Sequence, residues 1–172
     1  MTDDALIKFR IPAEFVVSHG LPTAAELAYG YLHKWVLGED VVAIALRKYE
    51  AKLPLREGEE ALALLLSDEY DQVDDLVDEL QCGDQPEEQR ARYWMFLALA
   101  WLQAHPELAK DPFEAIELLY ADFDFPSEIQ GLVRYMPSLP GVRTGLDAIR
   151  QRWAQYVDSE ASKYRRRETE ML

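Results

Sequence analysis

Residues 86–104 read PEEQRARYWMFLALAWLQA, and the fold turns on them. Pro86 suits the first turn of a helix, Glu87 and Glu88 follow where the helix dipole favours negative charge, and Pro106 closes the segment. Trp94, Met95, Phe96, Leu97, Leu99, Trp101 and Leu102 make the helix apolar nearly all round, so other elements must surround it. The apolar run Trp94 to Leu102 is nine residues long, whereas crossing a bilayer takes about 20. The stretch predicts a central core helix and no membrane span.

Further helices are legible on both sides. Thr23 and Glu26 have capping-box spacing, followed by Leu27, Tyr31 and Trp35 one turn apart, with Gly38 as the expected stop. Asp40 is the expected cap of a second helix carrying Val41, Ile44, Ala45 and Tyr49, ended by Pro54. A short third runs from Glu57 to Leu66. A fourth runs from Asp68 to Gln81, with Tyr70, Val73, Leu76, Val77 and Leu80 on its apolar face. After the central helix, Asp111 and Pro112 open a sixth with Phe113, Ile116, Leu119 and Tyr120. Ser127 and Glu128 open a short seventh. A loop holding Pro137, Pro140 and Gly141 precedes a long last helix with Leu146, Ile149, Trp153, Tyr156 and Val157 along one stripe.

Ala5 to Ser18 is the one extended stretch, with Ile7, Phe9 and Ile11 alternating against Lys8 and Arg10 until Pro12. A single strand makes no sheet, so it is expected to lie across the helices as an arm or to pair with a further strand elsewhere in the chain. The fold expectation is all-α: an irregular bundle or stack of about seven to eight helices with an extended N-terminal arm. It is read as one domain over residues 1–172, with 1–20 as the arm and the polar end 163–172 fraying.

Composition narrows function. The 172 residues carry 32 acids against 18 bases, net −14, which disfavours nucleic acid as a ligand because phosphate binding needs a basic surface. The single cysteine, Cys82, permits no internal disulfide and suits a reducing compartment; with an acidic start and no export signal, a cytoplasmic location is expected. Cys82 sits at the negative end of the acidic helix, which disfavours a reactive thiolate. His19, His33 and His105 lie far apart, each without a second metal ligand at helical spacing. Neither a Gly-rich phosphate loop nor a nucleophile elbow is present.

The charge is concentrated. Between Glu57 and Glu88 stand thirteen carboxylates and no Lys or Arg, interleaved with leucines and valines that a solvated tail would not keep. Folding sets Asp71, Asp74, Asp75, Asp78 and Glu79 on one face, an exposed surface that steers basic proteins toward it. Like-charge pairs one turn apart cost roughly 0.2–0.5 kcal/mol each, which a domain tolerates. The basic C-terminal end, including Lys163, Arg165, Arg166 and Arg167, is expected to lie on this acidic body, in cis or across a homodimer. Asp122, Phe123, Asp124, Phe125 and Pro126 set two aromatics between acids, either tucked under a helix end or presented as an anchor.

Two enzyme-like patterns compete with a binding surface. Asp74, Asp75, Leu76, Val77 and Asp78 resemble the aspartate-rich motif of isoprenoid synthases, which implies a hard cation holding a diphosphate; no second such motif faces it. Glu57 and Glu60 with Asp75 and Asp78 resemble the magnesium site of small all-α nucleotide pyrophosphohydrolases. There the second pair begins with Asp where the family has Glu. On the pyrophosphohydrolase reading Mg is the cofactor.

Phe9, Arg10, Ile11, Pro12, Ala13, Glu14 and Phe15, with Leu27 to Val36 and Gly58 to Leu80, resemble a family of small uncharacterised bacterial domains of unknown function. Small acidic helical proteins are also similar in general character to immunity proteins, where a carboxylate face covers a basic toxin. The functional expectation is a non-enzymatic binding protein with no cofactor, no nucleic acid or membrane partner, and a basic protein, a toxin in its most concrete form, as its ligand. Its alternatives are the Mg-dependent pyrophosphohydrolase and a structural module kept soluble by its charge.

Overall fold

The computed structural model describes residues 7–81, 83–137, 140–141 and 143–171. Cys82, Ser138, Leu139 and residues 1–6 of the expected arm, which include the start of the extended stretch at Ala5 and Leu6, lie outside these. The described chain forms α1 (Ala13–His19), α2 (Ala24–Leu32), α3 (Gly38–Glu50), α4 (Glu57–Ala63), α5 (Val73–Leu80), α6 (Glu87–Ala104), α7 (Pro112–Asp122) and α8 (Leu146–Met171). Short 3-10 segments cover Ser67–Gln72, Pro106–Leu108 and Ser127–Leu132. The molecule is all-α and irregular, 71% helical with no strand among the described residues.

α6 is the hub the sequence predicts. Trp94, Phe96, Leu97, Leu99 and Leu102 are fully buried, and α1, α2, α7 and α8 all pack on it. Against α2, Gly30 leaves room for the Trp94 ring; a Cβ there would collide with that ring. The Trp94 indole N–H donates to the Glu26 carbonyl at 2.6 Å, so the burial of this polar ring leaves no donor unpaired.

The arm is shorter than expected. Residues 7–12 belong to no helix, and Pro12 stands extended at the N-cap position of α1 with ψ 151°, so the helix begins at Ala13. Phe9 and Ile11 are buried while Lys8 and Arg10 stay outside, which is strand alternation without a sheet. The arm is held by Ile11 N–H donating to the Trp35 carbonyl at 2.8 Å and by Asp40, whose carboxylate accepts from Arg10 at 3.5 Å and the Ala13 amide at 3.3 Å.

Several boundaries differ from the periodicity. α2 stops at Leu32, not Gly38, because Lys34 turns left-handed (φ 64°) and the Trp35 amide closes back on the Gly30 carbonyl at 2.8 Å. Gly38 opens α3, and Asp40 sits inside its first turn, accepting from the Leu37 amide at 2.9 Å. The fourth predicted helix divides into the 3-10 segment Ser67–Gln72 and α5. At the C-terminal end α8 continues to Met171, with Tyr164 buried against Tyr93 and Phe96.

Candidate functional site

α5 has the polarity the sequence sets out. Val73, Val77 and Leu80 are buried against α2 and α4, and Asp74, Asp75, Asp78 and Glu79 are exposed. Asp71 is exposed too, but it belongs to the 3-10 segment, so its pairing with Asp75 is not that of one helical turn. Two of these acids have local partners. Asp74 accepts from the Tyr31 hydroxyl, and the Asp78 carboxylate accepts from the Gln81 side-chain Nε2 at 2.9 Å. Burial first, and then Asp74 and Asp78, push the Tyr31 phenol up to about 12. Arg56 closes the other end of the helix, donating to the Leu80 carbonyl at 3.3 Å, where a cation meets the negative dipole.

The metal candidates share adjacent helices, since α4 packs on α5. Glu57 and Glu60 are exposed on α4, as are Asp75 and Asp78 on α5. Among the described residues, no three His, Cys, Asp or Glu side chains come together as a cation site. Their neighbour Glu59 turns inward instead. It accepts from the Arg56 amide at 3.0 Å and pairs with the Lys48 ammonium of α3. Both side chains are almost fully buried, and burial lowers the Lys48 pKa against the pull of Glu59. One carboxylate of the acidic run is therefore a core strut.

Three arrangements differ from, or add to, what the sequence predicts. The link into α5 leaves Leu64 and Leu66 57% and 65% exposed after α4 ends at Ala63, while Leu65 between them packs on the core. The basic C-terminal end does lie on the body in cis, but on α1 and α2. Arg165 donates to the Ser18 carbonyl at 3.3 Å, and Arg167 reaches Glu26 and the Leu21 carbonyl. Among the described residues no ion pair joins α8 to an acid of α5. The third is a groove of about 710 Å³ between α6 and the residues after α7. Here the aromatic pair divides: Phe123 stacks on Trp35 at 6.0 Å, and Phe125 stays 57% exposed.

A family model described as "Uncharacterized protein conserved in bacteria (DUF2247)" matches residues 13–161. That span runs from the first residue of α1 into α8 and takes in the acidic helix and the groove. The chain belongs to this family. No curated protein and no solved structure matches it. The DUF2247 match covers Leu27 to Val36 and Gly58 to Leu80 of the resemblance, but only Ala13 to Phe15 of its first segment. The arm before α1 and the Arg167 contact fall outside the matched residues. No described helix is long and apolar enough to cross a membrane.

Proposed function

We propose that this DUF2247 protein is a non-enzymatic, cytoplasmic binding protein whose α5 face, Asp71, Asp74, Asp75, Asp78 and Glu79, receives a basic protein. The observation that carries the reading is the company these carboxylates keep. They stand exposed on the segments that follow a link leaving Leu64 and Leu66 exposed, so the same stretch of chain offers charge for steering and apolar area for anchoring. Interfaces need both: charged groups set encounter rate and orientation, and buried apolar anchors hold the complex. Neutralisation of a bacterial toxin is its most concrete form, with the carboxylates facing a surface built for phosphate.

Calorimetric titration of magnesium tests the choice between binding surface and metalloenzyme, with the Asp75→Asn, Asp78→Asn variant in parallel. The reading expects no site-specific heat in either protein. Saturable sub-millimolar binding lost in the variant overturns it and favours a pyrophosphohydrolase built on Glu57, Glu60, Asp75 and Asp78.

A further inference from the structure

The groove beside α6 has a charge and shape that the α5 face does not explain. Glu87, Glu88, Asp122, Asp124 and Glu128 line it with one base, Arg92, so its lining sums to −4 (five acids, one base). Arg92 is already engaged, donating to Glu160 at 3.2 Å and lying 3.8 Å from Glu128. Asp122 accepts from the Ile7 amide at 3.0 Å. Glu87, Glu88 and Asp124 have no ion pair among the described residues. Tyr29 and Ser127 add hydroxyl-bearing side chains, and apolar groups including Met95 and Phe125 supply the rest of the lining. Phe125 is held at the surface by the backbone: Asp124 and Phe125 are both left-handed (φ 60° and 54°), and the Phe125 amide donates to the Tyr120 carbonyl at 2.8 Å.

The volume is that of a ligand site, about 300–1,000 Å³, and the lining selects the ligand's chemistry. Anions are repelled. The carboxylates do not converge on a point as a metal requires. Separated acids beside an exposed aromatic ring suit a planar, delocalised cation that binds carboxylates edge-on and stacks by its face, which is a guanidinium.

We propose that this groove is a docking site for a basic segment of another protein, seating an arginine side chain among Glu87, Glu88 and Asp124 and against Phe125. The site is separate from the α5 face and stands or falls independently of it. The test is an amide NMR titration of the full chain with a short capped peptide of alternating glycine and arginine, against the same peptide with citrulline, its neutral isostere. The expected result is saturable shifts at Glu87, Ala91, Phe125 and Glu128, with affinity at least about tenfold weaker for citrulline and for the Glu88→Gln, Asp124→Asn variant. The Asp75→Asn, Asp78→Asn variant should bind the arginine peptide as the parent does. Equal binding of both peptides, shifts spread over α5, loss of binding in the α5 variant, or groove shifts that follow protein concentration alone and so report a second copy, would each overturn the proposal.

Discussion

Arg167, five residues from the chain end, sets both terminal guanidinium nitrogens on the Glu26 carboxylate, Nη1 to Oε2 at 3.0 Å and Nη2 to Oε1 at 2.8 Å. The Glu26 side chain is 1% exposed. Its carboxylate also accepts from the Thr23 amide at 3.0 Å and from Gln85 at 2.6 Å. One buried acid thereby caps α2, holds the turn before α6 and anchors the end of α8.

Arg167→Ala should therefore destabilise the protein by about 1.5–3 kcal/mol, the range for removing a hydrogen bond to a charged group, read as a lower urea midpoint at unchanged slope. Arg167→Lys should recover only part, since an ammonium cannot reproduce the paired contact. Full stability of Arg167→Ala would show that α8 ends without this anchor.

At the α2–α6 contact, Gly30→Ala should cost about 1–3 kcal/mol, because the added methyl meets the Trp94 ring in a packed core. Combining it with Trp94→Phe should cost less than the two single changes together, since each relieves the other's defect. Additive losses would place the strain elsewhere.

Two half-buried histidines give a pH dependence. Burial lowers His19 and His33 below the ordinary 6.5; Arg165 adds to the first and Lys8 to the second, partly offset by the Phe15 carbonyl and by Glu87. In the window between 6.5 and the lower folded values, the unfolded chain binds protons that the folded chain refuses. Their contribution is fully present above pH 6.5 and is lost as pH falls through that window. Urea midpoints from pH 7.5 to 5.5 should decline, and His19→Gln with His33→Gln should flatten the decline. An unchanged slope in the double variant contradicts the assignment.

The exposed link and face should be cheap to alter. Leu64→Ser, Leu66→Ser, Asp75→Asn and Asp78→Asn should each change stability by no more than about 0.5 kcal/mol, as surface positions do. Leu62→Ala, in the fully buried position beside them, should cost about 2–5 kcal/mol. Thermal unfolding of the set separates surface from core.

The fold was legible where burial is total. The all-round apolar character of Trp94 to Leu102 located the hub, and the valine and leucine spacing of α5 fixed which acids face solvent. The boundaries failed where local backbone geometry decides them: Lys34 turns left-handed without glycine, and Ser67–Gln72 winds as 3-10 although its pattern reads as helix. The acidic run hid a division of labour. Glu59 faces Lys48, a residue eleven positions away on another helix, and no spacing rule distinguishes it from exposed Glu60. The polar 163–172 end read as a tail because its anchor, Glu26, lies 141 positions away.

The central claim is that the α5 carboxylates hold a basic protein. The direct measurement is to capture basic proteins from a bacterial lysate on this chain, purify the one captured, and take its dissociation constant; capture of none would contradict the claim outright. The constant is taken with the parent and with a variant carrying Asp71→Asn, Asp74→Asn, Asp75→Asn, Asp78→Asn and Glu79→Gln, each at low and high salt. The account predicts at least about tenfold weaker binding by the variant at low salt, with the gap narrowing as salt screens the face. Equal affinity of parent and variant at both salt concentrations would contradict it.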